Sequence, residues 1–474
     1  MSTVIDLTEK LSAYGIYKIK VRAEAPDFDS SDEVSIDYVF GATIAVSNGK
    51  LTITKCLDGI SQFEIQIDGV AVGVVDYDYS ADWSATLTDF QDDMEKHSIA
   101  VRAIGDGVSE DNLSNVVYAF INPATSIYGV SGMYSSTVAL TRTDDAVGMS
   151  YTINSDGTIN SDFDNVFPWN RTELVTDENG NEFVSFPTMY FRVGVDSSKR
   201  ITDIAVSGVA HDDGNTWYEV APFWYGRYGA YLNGTLLESK SGLTRTASTT
   251  RANFRTYAKN NGDGYHQLDL YHRTVLMFLW WIEWATKNSQ NVMTGCIYGT
   301  GTTGGSAAVA TGGTDSLTTP SGYELTRQQM RYHYIEDFVG NYMEWVDGVY
   351  MGRAGTSYYD YATADPSKFG DTTTNHTKLA YPCNVSYSYA TIAAFGWDVN
   401  NPFLCTPTAA VNNSSYNTYF CDQIYRTTSS TAYPCLRVGA GYSSSSACSG
   451  ASYFNCSPAT NANTSIGARL LKSS

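Results

Sequence analysis

The chain contains an internal repeat that restricts its N-terminal part to a strand-rich fold. Ile19–Ala23 (IKVRA) and Ile99–Ala103 (IAVRA) lie 80 residues apart, and Tyr38 and Tyr118 lie at the same offset. Each copy alternates apolar and polar residues, as half-buried strands do. A Ser- and Asp-rich turn and a second alternating strand follow in both copies. Each unit is therefore predicted to form a strand, an acidic turn and a strand.

The second unit is complete and predicts a β-sandwich for residues 41–123. Leu51–Thr54, Phe63–Ile67 and Val70–Val75 add earlier strands, and Asp68-Gly69 predicts a hairpin turn. About seven short strands in ~80 residues are typical of an immunoglobulin-like or fibronectin-like sandwich.

Residues 1–40 contain only the C-terminal half of this pattern. They are predicted to form a partial immunoglobulin-like unit that serves as an attachment segment. Three alternatives are open for this unit: it packs on the complete domain, it is completed by another chain, or it is the remnant of a truncated array. The two units together are interpreted as a spacer or stalk.

The charge balance excludes one class of partner and disfavours another. The net charge is −20, with 30 Lys and Arg against 50 Asp and Glu. Nucleic-acid binding needs a basic face, and anionic membranes repel such a chain. No secretory signal is recognised at the N-terminus. The most apolar run, Val275–Ala285, is too short to span a bilayer and contains Glu283, so it predicts a buried helix and no membrane insertion.

Residues 124–474 are predicted to form one α+β domain, with a boundary at Asn122-Pro123. Helices are expected at 250–260 and 268–288, among short strands and long loops. The run 183–193 predicts a strand with an edge or bulge at Pro187. From Thr356 to Cys435 regular patterns are sparse, and loops are expected to dominate.

The cysteines do not follow a metal or redox pattern. None of the eight forms a CxxC pair, and six fall in the last quarter of the chain. Zinc and thioredoxin-like chemistry are therefore disfavoured. Buried free thiols are expected, with late-forming disulfides as the alternative.

The C-terminal stretch Leu436–Leu471 begins and ends with strand-like sequences, LRVG and IGARLL. Its interior, Tyr442–Thr464, consists of small polar residues with a few aromatics, and it contains no Lys, Glu, Gln, Met or Trp. Such residues suit a displayed contact surface. The alternative is a Ser-rich surface loop.

Five stretches in order give residues 124–474 a resemblance to the variable proteins of diversity-generating retroelements. These proteins carry a C-type lectin fold of the formylglycine-generating-enzyme type. The resemblance does not extend to residues 1–123, and Met343 replaces the first Trp of the family's GNxWEWVDG segment. The matching stretches are IYGV with TRTDDAVG (127–148), PWN with the strands of 181–207, the two helices of 250–290, IEDFVGNYMEWVDG (335–348), and the terminal LRVG…NxNTxIGARLL.

The resemblance implies that residues 436–471 form a region rewritten by a reverse transcriptase at template adenines. Codons of the type AAY then become NNY, which cannot encode Lys, Glu, Gln, Met or Trp, in agreement with the interior above. Strand alternation places Phe454 in the core and Tyr453 at the surface. The ligand-contact candidates are Ala440, Tyr442, Ser443, Ser444, Ser446, Ala447, Ser449, Ser452, Tyr453, Asn455, Ser457 and Pro458.

The function implied is receptor binding without catalysis. The chain resembles a phage tail-fibre adhesin for host attachment, located in the virion, whose partners are a host cell-surface protein or glycan. Other virion tail proteins would bind through residues 1–123, and a homo-oligomer, such as a trimer, is left open. The alternatives are a bacterial surface adhesin of the same fold and a cysteine oxidase of the formylglycine-generating type.

Three other motifs are interpreted as structural. No cofactor or metal is expected, and the alternative is Ca²⁺ bound by Glu344 and Asp347. In the structural interpretation, Trp345 belongs to the core and Glu344 pairs with a buried Arg or with the backbone. A catalytic role for Cys448 and Cys456 is disfavoured, because a catalytic pair would not survive rewriting. His266 and His272 are expected to make structural contacts at a helix start.

Overall fold

The computed structural model divides the chain into two compact units, Met1–Thr125 and Ser126–Ser474. Strands predominate, and two α-helices occur in the part of the chain that is described. The structure describes residues 15–21, 34–40, 42–47, 50–56, 58–80, 83–90, 96–105, 113–120, 124–297, 308–317, 329–354, 357–383, 389–411, 417–426, 434–442 and 450–473.

The described residues of the first unit form nine strands and one 3₁₀ turn, Leu87–Asp89. The strands are β1 Gly15–Val21, β2 Val34–Phe40, β3 Ala42–Ser47, β4 Lys50–Cys56, β5 Ile60–Ile67, β6 Val70–Asp76, β7 Ser84–Thr86, β8 Lys96–Gly105 and β9 Val117–Phe120.

Seven of these strands form two sheets around one core. The sheet orders are β3-β4-β7 and β6-β5-β8-β9, and Ile44 and Leu51 of the first sheet share a core with Phe63 and Val101 of the second. The predicted strands 51–54, 63–67 and 70–75 are confirmed. The predicted Asp68-Gly69 turn is also present, and both residues have positive φ, 50° and 76°.

The repeated strands are both present. β1 contains Ile19 to Val21 of the first copy, whose last two residues lie outside the described residues, and β8 contains the whole second copy. β1 pairs with β2 as a separate antiparallel sheet. The predicted acidic turns, 27–33 and 106–112, lie outside the described residues.

Where the second unit is described, it has 25 strands, two α-helices and short 3₁₀ turns at Asp162–Asn165, Trp169–Arg171, Ser289–Asn291 and Pro366–Lys368. The helices are α1 Arg251–Lys259 and α2 Leu270–Trp284. The strands are β10 Tyr128–Ser131, β11 Thr141–Asp144, β12 Tyr151–Ile153, β13 Ile159–Ser161, β14 Glu173–Thr176, β15 Glu182–Phe186, β16 Met189–Val195, β17 Ile201–Ser207, β18 Trp217–Val220, β19 Phe223–Gly229, β20 Tyr231–Asn233, β21 Leu236–Glu238, β22 Tyr265–Gln267, β23 Arg331–Tyr332, β24 Ile335–Glu336, β25 Met343–Ala354, β26 Ser357–Ala362, β27 Thr377–Pro382, β28 Ala390–Phe395, β29 Pro407–Val411, β30 Gln423–Tyr425, β31 Pro434–Val438, β32 Phe454–Pro458, β33 Ile466–Gly467 and β34 Arg469–Ser473.

Helix α2 lies in the core of the second unit. Asp269 caps its N-terminus by accepting a hydrogen bond from the His272 amide, and the helix ends at Ala285, which has a φ of 46°. All but one of its side chains are buried, because apolar residues surround the helix. Phe278 and Trp281 pack on rings from the strand segments, including Phe395. No described helix has the length and apolarity needed to cross a membrane.

Three larger sheets surround the helices. Two have five strands, in the orders β11-β10-β17-β16-β18 and β14-β15-β19-β34-β22. The third has the order β27-β26-β25-β31-β32-β30-β28-β29, and β33 pairs with β25 in parallel. The small sheets are β12-β13, β20-β21 and β23-β24.

The prediction that loops dominate 356–435 is wrong. Five strands, β26 to β30, lie in the described part of this segment. The six residues of β28 are all buried, so both faces of that strand are covered and no apolar–polar alternation marks it in the sequence. The predicted single strand at 183–193 is instead two strands, β15 and β16, separated at Pro187.

Candidate functional site

The C-terminal candidate region is built on three neighbouring strands. β31 pairs antiparallel with β25 on one side and with β32 on the other, with Arg437 opposite Asn455 and Val438 opposite Phe454. The LRVG sequence is thus a strand, as predicted. IGARLL forms β33 and β34, but β34 joins the sheet of β19 and β22 and does not pair with β31. The two ends of the region therefore lie in different sheets.

Residues 443–449 connect two positions whose main chains are held by buried groups. On one side, the Tyr442 N–H donates to the Asn341 carbonyl at 2.9 Å. On the other side, the Ala451 N–H donates to Ser289 Oγ at 3.0 Å, and the Ser452 N–H donates to Asp422 Oδ2 at 2.9 Å. The segment thus begins and ends on fixed points of the fold.

Arg273 of α2 also fixes the second end. Its Nη2 donates to the Ala451 carbonyl at 2.7 Å, and its side chain is fully buried. Gly450 is required there, because a Cβ would lie 1.9 Å from Ser289 Oγ and 2.6 Å from Asp422 Oδ1. Ser289, Asp422 and Arg273 are not among the predicted site residues, since each lies far from the segment in sequence and no local pattern marks it.

The described candidate residues are mostly buried. The predicted surface display is wrong for Ala440, Ser452, Tyr453, Asn455 and Ser457, each of which is 0–5% exposed. Tyr442 is half-buried, and Pro458 is exposed. Ser443, Ser444, Ser446, Ala447 and Ser449 lie outside the described residues.

Tyr453 and Phe454 are both in the core. Phe454 is fully buried, as predicted, with its ring centroid 5.5 Å from that of Phe395. The prediction that Tyr453 faces solvent is wrong, because its side chain is 4% exposed. Both faces of the sheet are covered at β32. Successive side chains along this strand therefore point to opposite faces, and both faces are buried.

A buried polar chain runs across β31 and β32. Asn455 Nδ2 donates to the Tyr453 hydroxyl at 2.7 Å, and Arg437 Nη2 donates to Asn455 Oδ1. Burial lowers the pKa of Arg437. A side-chain change within this chain would therefore alter the hydrogen bonding of the core.

Glu344 and Asp347 hold the fold together through arginines. Glu344 accepts from Arg245 Nη2 at 2.5 Å and from Arg469 Nε at 3.0 Å. Asp347 accepts from Arg255 Nε of α1 at 2.5 Å. Burial acts to raise the pKa of Glu344, but the adjacent Arg469 and Arg245 outweigh it and lower the pKa.

The structural interpretation of this motif is confirmed. Trp345 is fully buried, and Glu344 pairs with buried arginines. These carboxylates do not fit a Ca²⁺ site, because guanidinium groups occupy their oxygens.

His272 lies in the first turn of α2, and His266 lies in β22 just before the helix; both contact Asp269, the N-cap of α2. Asp269 Oδ2 lies 2.9 Å from His266 Nε2 and 2.8 Å from His272 Nδ1. Burial acts to raise the pKa of Asp269, but the two imidazoles hold it well below its usual value. One ligand atom from each of the three residues lies within 4.8 Å of the others, so the set has the size of a metal site. Asp269 also caps α2, because its Oδ1 accepts from the His272 amide at 2.8 Å.

The described cysteines are free thiols, and six of the seven are buried. Cys456 lies in β32, and burial raises its thiol pKa, whereas a nucleophilic cysteine needs a lowered one. Cys448 lies outside the described residues.

No protein-family model matches this chain, and comparison with curated proteins finds no significant match.

Proposed function

We propose that this chain is a ligand-binding protein of the C-type lectin fold, with a contact segment diversified by a retroelement. In this proposal it acts as a phage tail-fibre adhesin that binds a host cell-surface protein or glycan. The sandwich of residues 41–123, of immunoglobulin-like type, attaches the binding domain to other virion proteins. The described fold supports this proposal at a coarser level: a strand-rich second unit with two helices in its described part, preceded in the chain by a unit in which β3 to β9 form two sheets.

The observation that carries the proposal is the anchoring of residues 443–449. Tyr442 is fixed to Asn341, and Ala451 and Ser452 are fixed to Ser289 and Asp422. A recognition segment needs rigid ends, because loop ordering on binding costs about 0.5–1.5 kcal/mol per immobilised side chain. Small polar residues between such ends can change without disturbing the scaffold.

Burial divides the twelve candidates by role. Tyr442, Pro458 and the five candidates within 443–449 form the proposed variable contact set. The five buried candidates, Ala440, Ser452, Tyr453, Asn455 and Ser457, belong to the supporting core, where Asn455 donates to Tyr453 and the Ser452 amide donates to Asp422. In this proposal, diversification at the supporting positions is limited by folding.

The test is a segment exchange read out on cells. Ser443, Ser444, Ser446, Ala447 and Ser449 are replaced together by Asn, Tyr, Asp, Thr and His, and binding to a panel of bacterial strains is measured by flow cytometry. We expect the set of bound strains to change while Tm stays within about 2 °C of the parent. The control carries Val147→Thr and Val399→Thr at exposed positions away from the segment, and should keep the parent's binding.

An unchanged strain profile in the exchanged protein would refute the contact role. The retroelement origin is tested separately in the flanking DNA. It requires a second repeat that matches the codons of 436–471 and differs only at its own adenines.

A further inference from the structure

A second cluster of metal-ligand side chains lies away from the C-terminal region. Asp164 belongs to the 3₁₀ turn 162–165, Glu283 to the last turn of α2, and His333 to the turn between β23 and β24. One ligand atom from each lies within 4.8 Å of the other two. Three segments that are far apart in sequence thus converge on one point.

Glu283 and His333 have unused ligand atoms. Their side chains are 0% and 2% exposed, and Glu283 Oε2 lies 2.9 Å from His333 Nε2. Glu283 Oε1 and His333 Nδ1 have no hydrogen-bond partner. A carboxylate that is removed from water needs a counter-charge or a metal ion, so an open oxygen on a fully buried Glu points to a ligand.

Arg142 is the nearby cation, and it does not occupy the carboxylate. Its Nη1 and Nη2 donate to the main-chain carbonyls of Ile282 and Glu283 at 2.7 Å and 2.6 Å. The guanidinium also stacks over the Phe163 ring, 4.7 Å from the centroid. It therefore moderates the negative charge of the cluster without donating to Glu283 Oε1.

Asp164 links the cluster to solvent. This half-buried residue lines an open, polar cleft with Asp162, Ser150 and Asn160. The acidic cleft attracts cations and gives them a route to the buried pair.

We propose that Asp164, Glu283 and His333 bind a divalent cation of the zinc class. Two carboxylates and one imidazole form a mixed oxygen and nitrogen set, which suits Zn²⁺ or Mn²⁺, whereas Ca²⁺ takes oxygen ligands. Three protein ligands leave a fourth position toward the cleft. The ion ties α2 to the 162–165 turn and to the β23–β24 turn, so its main effect is on the stability of the second unit.

The full chain is freed of metal with a chelator and titrated with ZnCl₂ by calorimetry and thermal melting. We expect about one Zn²⁺ per chain and a rise in Tm of about 4 °C at a zinc concentration 100-fold above Kd. Asp164→Asn and His333→Gln should each weaken zinc binding at least about 10-fold. Asp164 is half-buried, so its variant is expected to fold and to keep the test interpretable.

The rival site, His266, Asp269 and His272, is tested in parallel. His272→Gln should keep the zinc stoichiometry and the Tm rise of the parent. The proposal is overturned if Asp164→Asn and His333→Gln bind zinc like the parent, if only His272→Gln loses binding, or if the parent binds no zinc.

Discussion

The Arg469 guanidinium of β34 meets the Glu344 carboxylate of β25 inside the second unit, with Nε 3.0 Å from Oε1 and 3.2 Å from Oε2. The side chains of both residues are at most 3% exposed. The pair joins two sheets, since β34 and β25 belong to different ones. Because both charges are removed from water, the loss of either partner leaves the other uncompensated.

Glu344→Gln should lower the free energy of unfolding of the second unit by about 3–5 kcal/mol, because Arg245 and Arg469 would lose their shared anion. Urea unfolding measures the change. Lys368→Gln is the control, since its pair with Asp365 is exposed and should contribute less than about 1 kcal/mol. Similar losses in both variants would contradict the role assigned to Glu344.

Asp422 should make stability depend on pH. Burial raises its pKa to about 6, above the value of about 3.9 in an unfolded chain. The folded state therefore binds the proton more tightly, and this contribution to stability is fully present below about pH 4 and is lost as pH rises to about 6. Between those limits the effect reaches up to about 3 kcal/mol.

The variant Asp422→Asn keeps an oxygen acceptor for the Ser452 amide and does not ionise. The free energy of unfolding of both proteins is measured in urea from pH 4 to pH 7. The value for Asp422→Asn minus the value for the parent should increase as pH rises. A pH-independent difference between the two proteins would show that Asp422 has an ordinary pKa.

The two ends of the 443–449 segment should differ in their tolerance of a methyl group. Gly450→Ala places a Cβ against Ser289 Oγ and Asp422, so we expect a loss of about 1–3 kcal/mol. At Gly441 the nearest atom would be the Ser465 carbonyl oxygen, at 3.5 Å, and Gly441→Ala should change stability by less than about 1 kcal/mol. Thermal melts of both variants test this difference. Equal changes in Tm would contradict the close packing of Gly450 against Ser289 and Asp422.

Removal of the phenol hydroxyl should lower stability more at the buried Tyr453 than at the half-buried Tyr442. Tyr453→Phe leaves Asn455 Nδ2 without its acceptor and should lower stability by about 1–3 kcal/mol. Tyr442 is half-buried, so Tyr442→Phe should stay within about 0.5 kcal/mol of the parent. Chemical denaturation of the two variants measures their free energies of unfolding. A larger loss in Tyr442→Phe than in Tyr453→Phe would contradict the assignment of Tyr453 to the core.

Local patterns predicted those elements whose signal is local. Helix α1 follows from a capped helical run, and its cap Thr250 accepts from the Asn253 amide. Helix α2 follows from its dense apolar sequence, although it is shorter than predicted at both ends. The Asp68-Gly69 hairpin follows from turn chemistry that only a few residues satisfy.

The remaining features depend on long-range contacts. β28 is buried on both faces, so its sequence carries no apolar–polar alternation; in β32 the sequence alternates, but the polar Asn455 and Ser457 are buried as well. The anchors Ser289 and Asp422 lie more than a hundred residues apart and meet only in the folded chain. The small polar composition of 443–449 predicts a variable segment, but it carries no signal for the residues that support its ends.

The position of β34 has a consequence for folding. This strand lies between β19 and β22 in the interior of its sheet. The sheet is therefore complete only when β34 is in place between its two neighbours. A chain truncated before Arg469 would lack both this central strand and the guanidinium that pairs with Glu344.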